Sequence, residues 1–172
     1  MQAQILRRWM FATIASAALL AVGCSDDDGG SSTNAKVIIK NDFNNPDSER
    51  KPPWTVCESS FRDVAFGRID LGASSEEKEV TPGEGLVYMV AAWKDPSCAP
   101  ENCLPLATKN LEEVVSGQSR TITLSVNNHQ GPCPPEGVQP IPEEIYNKIL
   151  ELWPTYGFKP YAERLKNPKC VK

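Results

Sequence analysis

The chain has 172 residues and carries 18 Lys and Arg against 22 Asp and Glu, a formal net charge of −4. That balance, with no basic stripe, excludes the electrostatic footprint of a nucleic-acid binder. A hydrophobic content of 40% is enough for one domain to bury a real core.

The first element reads as an export segment. Arg7 and Arg8 supply a positive end, and an apolar run from Trp9 to Val22 follows, broken only by Thr13 and Ser16. Small residues then lead to Cys24. This is the charge, length and ending of a signal peptide, and the run is shorter than the roughly 20 apolar residues that a spanning helix needs. The stretch Leu19-Leu20-Ala21-Val22-Gly23-Cys24 resembles the lipobox of bacterial lipoproteins. Ala21 departs from that pattern, because the slot usually holds a larger aliphatic residue.

The resemblance implies cleavage before Cys24, lipidation of Cys24 and attachment to a membrane through two or three acyl chains. One chain binds only marginally, whereas several hold stably. Ser25, in place of an Asp after the cysteine, points to the outer membrane. Cleavage removes Arg7 and Arg8 and no acid, so 16 basic groups face 22 acidic ones and the mature charge becomes −6.

Residues 24–35 then form the lipidated cysteine and a tether. Ser25 to Asn34 is rich in Gly, Ser and Asp and holds no apolar residue, so it has nothing to pack. Asp26, Asp27 and Asp28 lack the spaced ligands of a calcium loop.

A β domain over residues 36–128 follows. Lys36 to Asn41 is a β-branched first strand. The polar, proline-containing stretch Asp42 to Pro53 is a loop, and another strand begins at Trp54. Arg62 to Leu71 alternates with a slip in phase at Gly67, as a β-bulge produces. Val80-Thr81-Pro82-Gly83-Glu84 is a type II turn signal, with Pro at its second position and Gly at its third. Leu86 to Trp93 is continuously apolar and suits a central strand buried on both faces. Leu111 to Val115, Ser116-Gly117 and Arg120 to Val126 read as a hairpin.

Residues 129–172 form the last part, a Pro-rich loop, helix and tail packed on the sheets. His129 to Pro142 is too rich in Pro and Gly for a helix or strand. Pro142 then opens a helix with Glu143 and Glu144 in its first turn, where acids suit the dipole. Ile145, Ile149, Leu152 and Trp153 share one face, and a short helix is expected over Tyr161 to Lys166. Strands segregated from helices argue for an antiparallel β-sandwich, immunoglobulin-like or transthyretin-like, with a C-terminal α-helix.

Five cysteines remain beyond Cys24, and an exported chain meets an oxidising compartment. Cys98 and Cys103 are expected to bridge locally. The second bridge is expected between Cys57 and either Cys133 or Cys170, which leaves one thiol over; spacing does not choose among these pairings.

No catalytic group, metal site or cofactor is expected. His129 has only Ser125 nearby, and no Gly-x-Ser-x-Gly elbow occurs. His129 and Cys133 are four apart, a usable metal-ligand pair to which Cys57, Cys98, Cys103 or Cys170 could add, but thiols in this compartment tend to oxidise and no Cys-x-x-Cys is present. The adjacent acids Glu112-Glu113 and Glu143-Glu144 diverge, so neither pair straddles one bond as glycoside hydrolysis requires.

Tyr156, Phe158 and Tyr161 either wrap the sandwich or present a binding surface. The expected function is therefore a lipid-anchored, non-enzymatic binding or structural module in the envelope. Its partner would be another envelope protein or a glycan. A carbohydrate-binding module is the first alternative, and a hydrolase using dispersed carboxylates the second.

Overall fold

The computed structural model describes residues 33–43, 54–93, 96–134 and 138–166. The export segment, Cys24, the tether through Ser32, most of the Asp42–Pro53 loop and Cys170 lie outside those residues. Ten strands and two helices follow in order: β1 (Ala35–Asn41), β2 (Trp54–Phe61), β3 (Val64–Ala65), β4 (Lys78–Val80), β5 (Gly83–Gly85) and β6 (Val87–Trp93), then β7 (Cys103–Thr108), β8 (Glu112–Val114), β9 (Ser119–Leu124), β10 (His129–Gln130), α1 (Glu143–Leu152) and α2 (Tyr161–Leu165).

The strands form a β-sandwich. One sheet has the order β4-β1-β9, the other β10-β7-β6-β2-β3, and β5 and β8 make a separate short pair. Alternate residues of both sheets meet in the first core. Val37 and Ile39 of β1 and Ile122 and Leu124 of β9 join Val56, Phe61, Met89 and Leu106 from the five-stranded sheet. β6 is central, as its continuous apolar run requires. Met89 and Ala91 face this core, whereas Val90 and Ala92 face a second one on the opposite side.

That second core holds the C-terminal segment. Ile141, Tyr146 and Ile149 are fully buried against Val90, Ala92, Cys103 and Ala107. Tyr146 takes the place expected for Leu152, so the buried stripe is rotated towards the start of the helix. Its ring supplies apolar area and its hydroxyl donates to the Lys159 carbonyl at 2.7 Å. The molecule is thus layered as sheet, sheet and helix.

Asn41 ends β1 inside the first core. It is fully buried, and its Nδ2 donates to the carbonyls of Trp54 and Ile69 at 2.9 Å each, while its Oδ1 accepts from the Phe43 amide at 3.2 Å. A buried amide needs such partners, and here they tie three segments together.

Several sequence expectations are corrected. The 111–126 stretch is not a hairpin. β8 pairs with β5, and β9 runs parallel to β1, from Lys36 opposite Ser119 to Asn41 opposite Leu124. A two-residue turn can only give antiparallel neighbours, whereas parallel strands must be distant in sequence. Here the turn at Gly117 (φ 72°) carries the chain out of one sheet into another. The Pro82-Gly83 turn does the same between β4 and β5. Gly83 has φ 128°, and a Cβ there would lie 2.8 Å from the Arg62 guanidinium. The Pro-rich loop does contain a strand, since β10 pairs His129 and Gln130 with Thr108 and Ala107. A register shift lies in β2 at Val56/Glu58, and at Gly67 (φ 70°) the amides of Phe66 and Gly67 both donate to the Ser59 carbonyl, at 2.8 and 3.3 Å.

The local Cys98–Cys103 bridge is also corrected, and so is a Cys57 bridge to Cys133 or Cys170. Cys57 is bonded to Cys98, with Cα atoms 5.7 Å apart. Cys57 sits at the register shift of β2 and belongs to the second core, opposite to Val56, on the side where the 98–103 loop lies. Cys133 is disulfide-bonded as well.

Candidate binding groove

A groove of about 670 Å³ opens where the start of β6, the end of β7, β10 and the first turns of α1 meet. Its frame is fixed by hydrogen bonds. The buried Thr108 hydroxyl accepts from the Val87 amide at 3.1 Å, and Gln130 Nε2 donates to the Thr108 carbonyl at 2.9 Å. Leu86 and Leu111 supply apolar wall on the strand side, and Pro142 and Ile145 on the helix side. Leu111 is 60% exposed, the most exposed of the large hydrophobic residues among the described ones.

The polar groups are asymmetric. Lys109, from the segment after β7, and Lys148, from α1, both line it, together with Glu144 of α1 and Tyr88 of β6. Burial, reinforced by the negative charge of Glu144, pushes the Tyr88 hydroxyl above its usual pKa and keeps it a neutral donor. Lys109 is steadied by its bond to the Asn127 carbonyl at 3.3 Å. Lys148 lies 3.8 Å from Glu151 in an exposed i,i+3 pair. The groove therefore offers apolar walls, one neutral donor, two ammonium groups and the Glu144 carboxylate. That set suits an extended segment with an apolar side chain flanked by acids.

The residues singled out from sequence lie elsewhere. Tyr156, Phe158 and Tyr161 are half-buried and packed against the second core. Tyr156 and Phe158 stack on each other at 5.6 Å, and the Tyr161 hydroxyl donates to the Ile141 carbonyl at 2.7 Å. His129 sits in a trio with Phe43 and Trp54, with ring centroids 5.3 to 5.4 Å apart. Its Nδ1 faces the Ser125 carbonyl at 3.1 Å, so that nitrogen carries the proton and the Ser125 hydroxyl is not its partner. Burial holds the ring's pKa below the usual value. Cys133 is in a disulfide, so the His129–Cys133 spacing presents no thiolate to a metal.

Sequence reasoning missed all the groove residues. Glu144 and Lys148 are four apart on a helix and face one way, a signal that was present but equally fits a solvated face. Nothing local marks Leu111 or Lys109, because their partners come from other elements. No protein-family model, curated protein or solved structure matches this chain. Among the described residues, no helix is long and apolar enough to cross a membrane.

Proposed function

We propose that the chain is a lipid-anchored envelope protein, held at the outer membrane through Cys24, whose sandwich domain binds another envelope protein without catalysing a reaction. The observation that carries the binding part is the exposed Leu111, set in a groove between Lys109 and Lys148. A mature protein of net charge −6 that lines an apolar groove with two lysines and one glutamate is matched to an acidic, partly apolar segment of its partner. The lipobox resemblance and the tether support the placement.

Two experiments test the two parts. Mass spectrometry of the mature N-terminus should find an acylated Cys24, and Cys24→Ser should release the protein from membranes. A start elsewhere, or retention of the variant, removes the anchor. A photo-crosslinker at position 111 should trap one envelope protein, and Lys109→Glu with Lys148→Glu should abolish that product. Unchanged crosslinking in the charge variant removes the groove as the binding site.

A further inference from the structure

The β5–β8 ribbon belongs to neither sheet, yet it carries the strand-side wall of the groove. Its end pair is Gly85 with Glu112. Leu86 follows the one and Leu111 precedes the other, so both wall residues leave the ribbon at the same end. Wherever the ribbon sits, those two side chains go with it.

Two short strands paired only with each other are marginal by themselves. This ribbon is held from outside at its central pair, Glu84 opposite Glu113. Arg62 Nη1 donates to the Glu84 carbonyl at 2.7 Å, and Arg120 Nη1 donates to the Glu113 carbonyl at 2.8 Å. Arg62 comes from the turn between β2 and β3 of the five-stranded sheet, and Arg120 from β9 of the three-stranded sheet. Each sheet thus reaches the ribbon through one guanidinium. Arg120 Nη2 also pairs with Glu112, the neighbour of Leu111, at 2.7 Å. Arg62 lies over two glycines. A Cβ at Gly83 would be 2.8 Å from its Nη1, and one at Gly85 would be 3.1 Å from its Cγ. Bare backbone lets the side chain cross β5 to the carbonyl. Arg62 itself sits at φ 54°, in the left-handed region. Gly or Asn would fill that turn position with less strain. The backbone gains nothing from an arginine here, so the use of this residue lies in its guanidinium.

We propose that Arg62 and Arg120 are positioning residues of the groove. They clamp the β5–β8 ribbon at one cross-strand pair and so set where Leu86 and Leu111 stand for the partner segment. This role rests on the groove being the binding site. Neither arginine lines the groove, so each acts through the ribbon and not by touching the partner.

The test is hydrogen exchange, read by mass spectrometry, on the full chain in detergent without a partner. Amides of residues 83–86 and 111–114 should exchange about tenfold faster in Arg62→Asn and in Arg120→Gln, while those of β6 and β7 keep wild-type rates. Asn suits the left-handed turn, so the urea midpoint of Arg62→Asn should stay at or above that of the wild type. Capture of the partner through the photo-crosslinker at position 111 should nonetheless fall about tenfold in that variant. Unchanged exchange in the ribbon overturns the proposal, whatever the partner does. Faster ribbon exchange with wild-type capture also overturns it, since the ribbon would then not set the groove. Faster exchange throughout with a lowered midpoint overturns it as well, by assigning Arg62 to the stability of the whole domain. A wild-type chain that captures nothing removes the groove as a binding site and this role with it, a failure told apart by ribbon exchange that still responds to the two arginines.

Discussion

Tyr146 is the sharpest probe of the layered architecture. Its side chain is fully buried on the outer face of the five-stranded sheet, its ring lies 5.3 Å from that of Tyr161, and its hydroxyl donates to Lys159 at 2.7 Å. Replacing a fully buried aromatic ring by Ala costs about 4 kcal/mol, from lost transfer energy and the cavity left behind. Tyr146→Phe keeps the ring and removes only the hydrogen bond. Lys159 is exposed, so water can reach the carbonyl left behind, and the loss is about 1 kcal/mol. Urea denaturation followed by tryptophan fluorescence and far-ultraviolet circular dichroism measures both. Domains of this size have roughly 5–15 kcal/mol in total, so the Ala variant should shift the midpoint markedly. Both probes should shift together, because the helix shares its core with β6 and β7. A loss below about 1 kcal/mol for Tyr146→Ala would refute this reasoning, as would a shift in the helical signal alone.

Three further outcomes follow from the same contacts. His129 is held neutral by burial, so its folded pKa lies below 6.5. The unfolded chain therefore takes up the proton first, and stability is full above pH 6.5 and falls as the pH drops from there towards the folded value. His129→Gln should flatten thermal unfolding in that window, and a wild-type slope in the variant would contradict the assignment. The Cys57–Cys98 bridge spans 41 residues, for which loop-closure entropy gives about 4 kcal/mol. Cys57→Ala with Cys98→Ala should lose that much in urea, and a loss under about 1 kcal/mol would show that the bridge does not constrain the unfolded chain. Leu111→Asp should change stability by no more than about 0.5 kcal/mol while removing partner capture, so a large destabilisation would place Leu111 in the fold instead of the site.

The locally encoded elements were legible in the chain. The β-branched run marked β1 as a strand, the alternation of Ile122 and Leu124 marked β9 as half-buried, and the unbroken run at β6 gave its central position. Pro142 with Glu143 and Glu144 marked the start of α1. Pairing was not legible. β8 and β9 stand either side of a good turn yet join different sheets, because β9 completes the first core only beside β1. The burial of Tyr146 was not legible either, since the carbonyl that accepts from its hydroxyl is supplied by the tail, at Lys159.

Composition and periodicity determined that this is a mainly β domain with a helix at its C-terminal end, since burial of alternating and stripe-like apolar faces depends only on local order. The same local order carries the lipobox resemblance. Only the tertiary structure decided that Cys57 bonds to Cys98, because the two lie 41 residues apart and meet only once β2 and the loop after β6 are packed together. It alone fixed Asn41 as a three-way tie. It alone assembled the groove of Leu111, Lys109 and Lys148, because those side chains meet through contacts between segments far apart in the chain.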